Sequence, residues 1–298
     1  LDVNKQTITK CVIPAAGLGT RLRPATKIQP KEMLPVGRKP TIQYVVEEAI
    51  AAGLKSILII TGRTKRAIAD HFDLDFVTGK PIEGELDYEK LGVRFFFVRQ
   101  AQQTGLADAV SHAEAFVGGE PFVVCLGDTI IGEPEPATLL KRLVDTHVRR
   151  GASATVAAER VRPQDVSKYG ILKPLSRVGD EFQLADLIEK PAPEHAPSRL
   201  AIASRYAFNA TIFDAIRAVK ANPPGKGGEY QLTDAMRELL SNGDGMWAVR
   251  LAANEKRYDI GNYESYYKAF VELSLQDPEF GDSVRRHLKA LLAGNRGR

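Results

Sequence analysis

An α/β architecture follows from two patterns in the sequence. Short apolar runs alternate with longer stretches of helical spacing, the order expected of strands covered by helices. Two further runs, residues 171–175 and 182–188, are placed to pair antiparallel. The expectation is therefore a mixed, mostly parallel, Rossmann-like sheet flanked by helices.

Taken in order, strands are expected at residues 10–13 (KCVI), 56–61 (SILIIT), 93–98 (VRFFFV), 121–126 (PFVVCL) and 152–158. Helical spacing marks 42–50, which stops near Gly53, and 64–72, with Thr64 as its cap. Further helices are expected at 105–116, 136–150, 211–219, 232–240 and 263–275. Residues 73–91, with Gly79, Pro81 and Gly84, read as a polar surface excursion with a short helix over 86–91. Residues 222–228 (NPPGKGG) read as a mobile turn and the AGNRGR tail as frayed. The simplest division is one domain over 1–298, with a helical C-terminal appendage from about residue 262.

The bulk numbers narrow the function classes. The 298 residues are 44% hydrophobic and 26% charged with net charge +4, an ordinary globular composition. No dense Lys/Arg run with interleaved aromatics occurs, which argues against nucleic acid as a partner. Cys11 and Cys125 both lie in apolar runs and read as buried thiols. No N-terminal apolar signal and no apolar run of membrane-spanning length is present, so no membrane partner and a cytoplasmic location are expected.

The stretch from Pro14 to Pro35, PAAGLGTRLRPATKIQPKEMLP, joins the first strand to the first helix. Gly17 and Gly19 allow unusual backbone angles and close approach of a ligand. Successive backbone N–H groups in such a loop form a concavity for anions. Arg21, Arg23, Lys27 and Lys31 add cations against Glu32 as the only acid, so the loop suits a ligand with several phosphates. It is neither a P-loop, which needs G-x-x-x-x-G-K-[ST], nor a dinucleotide fingerprint, because Leu22 stands where the third glycine belongs.

Two aspartates are candidate metal ligands. Asp128 in Cys125-Leu126-Gly127-Asp128-Thr129 lies just past an expected central strand, the sheet edge where α/β proteins bind ligands. Taken alone the string fits a turn equally well; beside the phosphate loop it favours Mg²⁺, which prefers oxygen ligands and keeps waters. Asp259 in Arg257-Tyr258-Asp259-Ile260-Gly261 is weaker by pattern, with a turn as the alternative. Glu189-Lys190-Pro191 reads by pattern as a solvated charge pair before a turn proline, although a lysine at a strand end also suits a phosphate. The five histidines show no paired metal spacing and no G-x-S-x-G occurs.

Gly17-Leu18-Gly19-Thr20-Arg21, followed by Pro30-Lys31-Glu32-Met33-Leu34-Pro35, resembles the sugar-1-phosphate nucleotidylyltransferases. Pro24-Ala25-Thr26-Lys27 and the segments Lys168-Tyr169-Gly170, Glu189-Lys190-Pro191-Ala192-Pro193 and Gly228-Glu229-Tyr230-Gln231-Leu232-Thr233-Asp234 extend the likeness to the bacterial uridylyl branch. The resemblance spans about residues 10–275. It implies the nucleotide-diphospho-sugar transferase type of sheet, Mg²⁺ as cofactor, and UTP and glucose 1-phosphate as substrates yielding UDP-glucose and pyrophosphate. It also implies a homo-oligomer, dimeric or tetrameric.

The resemblance further implies residue roles. Arg21 and Lys31 would hold the β and γ phosphates, and Lys190 the sugar phosphate. Ala15, Ala16, Gly17, Gly19 and Thr20 would line the nucleotide, with Glu32, Gln100 and Gly105 at its base. Gly170, Glu189 and Ile202 would border the sugar. Asp128 and Asp259 would hold Mg²⁺. Gly105-Leu106-Ala107-Asp108-Ala109 departs from the uridylyl pattern Gly-Leu-Gly-His-Ala and approaches the thymidylyl one, so a thymidylyltransferase is the alternative. A non-catalytic nucleotide-sugar-binding relative is the alternative from another class.

Overall fold

The computed structural model describes residues 7–75, 77–82, 86–175, 177–243 and 245–294. The first apolar run is strand β1 (Lys10–Pro14), and the basic loop runs from it into a short hairpin, β2 (Pro35–Val36) and β3 (Lys39–Pro40), before helix α1 (Thr41–Ala51). There follow β4 (Ser56–Thr61), α2 (Arg66–Phe72), β5 (Arg94–Arg99), α3 (Leu106–Ser111), α4 (Glu114–Val117), β6 (Phe122–Cys125), β7 (Thr129–Gly132) and α5 (Thr138–Arg150). The second half contributes β8 (Ala154–Arg160), β9 (Gly170–Pro174), β10 (Glu181–Glu189), β11 (Leu200–Phe208), α6 (Ile212–Lys220), α7 (Leu232–Ser241), β12 (Met246–Arg250), β13 (Lys256–Asp259), α8 (Tyr263–Leu275) and α9 (Gly281–Gly294).

Nine strands form one sheet in the order β5-β4-β1-β6-β11-β8-β12-β10-β9. Strands β5, β4, β1 and β6 are parallel, as are β8 and β12. Strand β11 runs antiparallel to β6 and β8, and β10 antiparallel to β12 and β9. The sheet is mixed, as expected, but parallel pairing dominates only its β5–β6 half, the other half being mainly antiparallel; residues 170–174 and 184–189 pair antiparallel. Both faces are covered, which is why the central strands read as unbroken apolar runs. Val12, Val124 and Phe122 point to the layer of α3, α6 and α7, whereas Cys11, Ile13 and Cys125 point to that of α1, α2 and α5. Both cysteines are buried free thiols. Among the described residues no helix is long and apolar enough to cross a membrane.

Several local expectations change. Helix α2 starts at Arg66, and its cap position is Lys65 with no side-chain cap bond, so Thr64 does not cap it. Residues 88–92 form turns rather than a helix. The helix expected over 105–116 breaks at His112 and Ala113 into α3 and α4. Residues 226–228 make a single 3-10 turn. Phe76 and residues 83–85 of the surface excursion, and residues 295–298 of the tail, lie outside the described residues. Strands β7, β11, β12 and β13 were not anticipated. The central strand β11 is buried at all nine positions, so it lacks the polar alternation that marks a half-exposed strand.

Candidate active site

A cleft of ≈ 760 Å³ lies over the strand ends, and Arg21, Asp128, Gly170, Glu189, Lys190, Ile202 and Asp259 all line it. On one side stands Arg21 of the basic loop, whereas Ala15, Ala16, Gly17, Gly19, Thr20 and Lys31 do not line the cleft. Gly19 adopts φ 63 and leads into a tight turn at Thr20–Leu22. The turn is tied down by Thr26 Oγ1 donating to the Gly19 carbonyl at 2.6 Å and by Tyr263 donating to the Leu22 carbonyl at 3.0 Å. Arg21 reaches toward the second aspartate: a Cβ placed on Gly261 would stand 2.9 Å from Asp259 Oδ1 and 3.3 Å from Arg21 Nη2.

Lys31 is ion-paired with Asp128. Burial works against the lysine's charge, but Asp128 and then Glu32 outweigh it and raise its pKa above the usual range. Asp128 is likewise opposed by burial and held below the usual carboxylate range chiefly by Lys31. Asp259 behaves in the opposite way, pushed up by burial and by the neighbouring charge of Asp128. The two carboxylates come from adjacent segments, since Asp259 pairs with Thr129 across β13–β7 and the Ile260 N–H donates to the Asp128 carbonyl at 2.9 Å. Two crowded carboxylates, one of them resisting ionisation, are a donor set that a divalent cation would relieve. Among the described residues no group of three or more His, Cys, Asp or Glu could hold a metal; the two carboxylates are oxygen donors of the kind that could hold a hard cation keeping waters.

The other side of the cleft is built by β9, β10 and β11. Lys190 follows β10 with φ 44, a conformation rare outside glycine, and its N–H donates to the Tyr169 carbonyl at 3.0 Å. Its ammonium is 3.1 Å from Glu189 Oε1, while Thr233 Oγ1 donates to Glu189 Oε2 at 3.0 Å. A Cβ on Gly170 would lie 3.0 Å from Ile202 Cδ1 and 3.2 Å from Glu189 Oε2, so these backbone and side-chain groups share one corner. Between Ile202 and Tyr206 the β11–β8 register shifts. The irregularity contains Ser204 at φ 59, and its hydroxyl hydrogen-bonds Thr129 beside Asp128 at 3.2 Å.

Gln100, Gly105 and Glu32 do not line this cleft. They stand near the ends of β4 and β5, where the Ala15 N–H donates to the Ile60 carbonyl and the Gln100 N–H to the Thr61 carbonyl. The Gln100 amide donates to Asp108 Oδ2 at 2.8 Å and to the Gly105 carbonyl at 3.3 Å. Asp108 is also paired with Lys220. Glu32 is 1% exposed, and Lys65 Nζ donates to both its oxygens at 2.7 and 2.9 Å. Burial pushes Glu32 up and Lys65 down, each effect softened by the partner. Glu32 is therefore a buried partner of Lys65 and does not present an open carboxylate. Lys65, Ser204 and Thr233 escaped the sequence reading as site residues. Only Thr233, in the Gln-Leu-Thr-Asp string, carried any signal.

A basic, glycine-containing loop and a carboxylate pair, facing a Glu–Lys turn across strand ends, are the kind of site that suits an α/β enzyme of phosphorylated substrates. The chain belongs to the family described as Nucleotidyl transferase, whose profile matches residues 10–275. It is 43% identical over 296 residues to UTP–glucose-1-phosphate uridylyltransferase YngB of Bacillus subtilis, covering 97% of each chain. It is 40% identical to the UTP–glucose-1-phosphate uridylyltransferase of Staphylococcus epidermidis, over 95% of this chain and 98% of that one. Among solved structures, a UDP-glucose pyrophosphorylase complexed with UDP-glucose superposes with TM-score 0.81 at 37% identity, covering 91% of this chain and 100% of the other. The UTP-bound enzyme from Acinetobacter baumannii gives TM-score 0.82 at 32% identity, covering 95% and 99%.

Proposed function

We propose that this chain is a UTP–glucose-1-phosphate uridylyltransferase that requires Mg²⁺. The observation that carries the reading is the placement of Arg21, Asp128 and Asp259 across one cleft from Glu189 and Lys190. Full-length relatives named for this activity support it.

An oxygen of the glucose 1-phosphate attacks the α-phosphorus of UTP. The new P–O bond forms as the bond to the bridging α–β oxygen breaks, and that electron pair leaves with pyrophosphate. The nucleophile's second ionisation lies at about pH 6, so it is already an anion at neutral pH and needs no general base. The barrier is the meeting of two anions, and positioned positive charge lowers it. Lys190 neutralises the sugar phosphate, whose hydroxyls Glu189 orients from its bond to Thr233. Arg21 and Lys31 hold the β and γ phosphates. Asp128 and Asp259 would hold Mg²⁺, which would supply further charge neutralisation. Exposed apolar side chains, Tyr267 on α8, Phe280 in the turn before α9 and Leu292 on α9, suit burial in a homo-oligomer, which light scattering would report.

The test is pyrophosphate release from UTP and glucose 1-phosphate with Mg²⁺, run beside dTTP, galactose 1-phosphate and EDTA. Fast release with UTP that EDTA abolishes is expected. Asp108, in the thymidylyl-like string, makes dTTP the informative competitor, and a clear preference for it would reassign the base while keeping the metal site. No release with any pair would leave the binding-only reading.

A further inference from the structure

Arg257 is a buried cation that lines the cleft and yet has its charge matched within the protein. Its side chain is 6% exposed, and the guanidinium is ion-paired with Glu159 on β8. The same group stacks on Tyr169, with Cζ 4.2 Å from the ring centroid. Arg257 and Asp259 are two apart on β13, so they project from the same face of that strand. Strand β13 pairs with β7 in a separate two-stranded sheet, outside the nine-stranded one. Arg257 thus joins the strand that carries Asp259 to the main sheet at Glu159 and Tyr169.

Tyr169 leads directly to Lys190. Its carbonyl accepts the Lys190 N–H at 3.0 Å, and the next residue, Gly170, pairs with Glu189 in the β9–β10 ladder. Lys190 sits at φ 44, and such a conformation persists only where its surroundings over-determine it. We propose that Arg257 is a positioning residue: by clasping Tyr169 and Glu159 at once, it holds the Lys190 turn at a set separation from the Asp259 strand. The nucleophilic sugar phosphate and the phosphates of the nucleotide are thereby kept in register. Arginine suits the task because its flat, permanently charged face can stack and ion-pair together, which an ammonium cannot do. With its charge matched by Glu159, Arg257 acts on the substrate through Tyr169 and Lys190.

This inference rests on the proposed role of Lys190 toward the sugar phosphate. The test is steady-state kinetics of Arg257→Lys, Tyr169→Leu, their double variant and Tyr169→Phe, with each substrate varied separately. Arg257→Lys and Tyr169→Leu should each raise the KM for glucose 1-phosphate by on the order of tenfold, leaving the KM for UTP within about a factor of two. Tyr169→Phe, which keeps the ring, should behave as the parent. The double variant should be no worse than the poorer single one, because both break the same clasp. Equal loss toward both substrates, additive losses, or unchanged kinetics in either single variant would overturn the clasp. If Arg257→Lys fails to fold, Tyr169→Leu and Tyr169→Phe still decide the matter. An unmodified protein that releases no pyrophosphate would instead overturn the function itself.

Discussion

Lys31 and Lys190 show what a residue type does once its neighbours are known. Lys31 is largely withdrawn from water and held charged by Asp128, so Lys31→Ala removes a preorganised cation and leaves Asp128 without its partner. Loss of such a group costs roughly 3 kcal/mol of transition-state stabilisation, about a hundredfold in kcat/KM for pyrophosphate release. Lys190→Ala should slow turnover at least as much with little change in melting temperature, since its ammonium is half-exposed and near-normal activity would remove it from the mechanism. A separate prediction concerns pH. His147 is buried between Thr155 and Asn209, each 3.2 Å away, and burial holds its imidazole below the ordinary value. The unfolded chain then binds the proton more readily. This contribution to stability is present above about pH 6.5 and is lost as pH falls through the folded value, at up to about 1.4 kcal/mol per pH unit. His147→Gln should therefore flatten the loss of urea resistance between about pH 7 and about pH 5; an unchanged acid limb would refute this. At this scale the sequence was legible where residues share one local string, as Arg21 and Lys31 do in the basic loop. Lys65 on Glu32 and Thr233 on Glu189 were not legible, because each pair joins segments far apart in the chain.

Among the elements, α3 and β11 explain why some segments resisted prediction. Helix α3 follows Gly105, whose φ of 121 and contact with the Tyr230 backbone leave no space for a side chain. A Cβ there would stand 2.4 Å from the Tyr230 carbonyl oxygen. Tyr230 in turn donates to the Thr104 carbonyl at 2.7 Å and accepts from Ala107. Gly105→Ala must push this crossing apart, so it should destabilise by about 2 kcal/mol or more in chemical denaturation. A neutral substitution would show that the crossing is not required. Periodicity reported the helix but not its break at His112 and Ala113. Strand β11 passed unread because all nine positions are buried and two of them, Ser204 and Arg205, are polar. Local preference disfavours a buried arginine in a strand; here its partners come from α1 and β7.

In the whole molecule, that arginine holds the layers together. Arg205 is fully buried and donates to Glu48 on α1 at 2.6 to 3.2 Å, and to the Thr129 carbonyl at 2.9 Å. The helix that follows the phosphate loop is thus tied to the segment that follows Asp128. Glu48→Ala would strand a buried charge, and breaking such a pair from one side costs roughly 3–5 kcal/mol. A large fall in the urea midpoint is expected, and a small one would mean that water reaches Arg205 in the variant. The sequence by itself determined the α/β class, the mixed sheet, the basic glycine-containing loop and the placement of Asp128 past a strand end. These follow from local periodicity, glycine placement and charge, which are written in consecutive residues. Only the tertiary structure decided that Asp259 crowds Asp128, that Glu32 is spent on Lys65, and that Arg257 stands between Tyr169 and Glu159. Those facts arise when strands distant in sequence are brought side by side, and the energies of burial and ion pairing depend on that neighbourhood rather than on residue order.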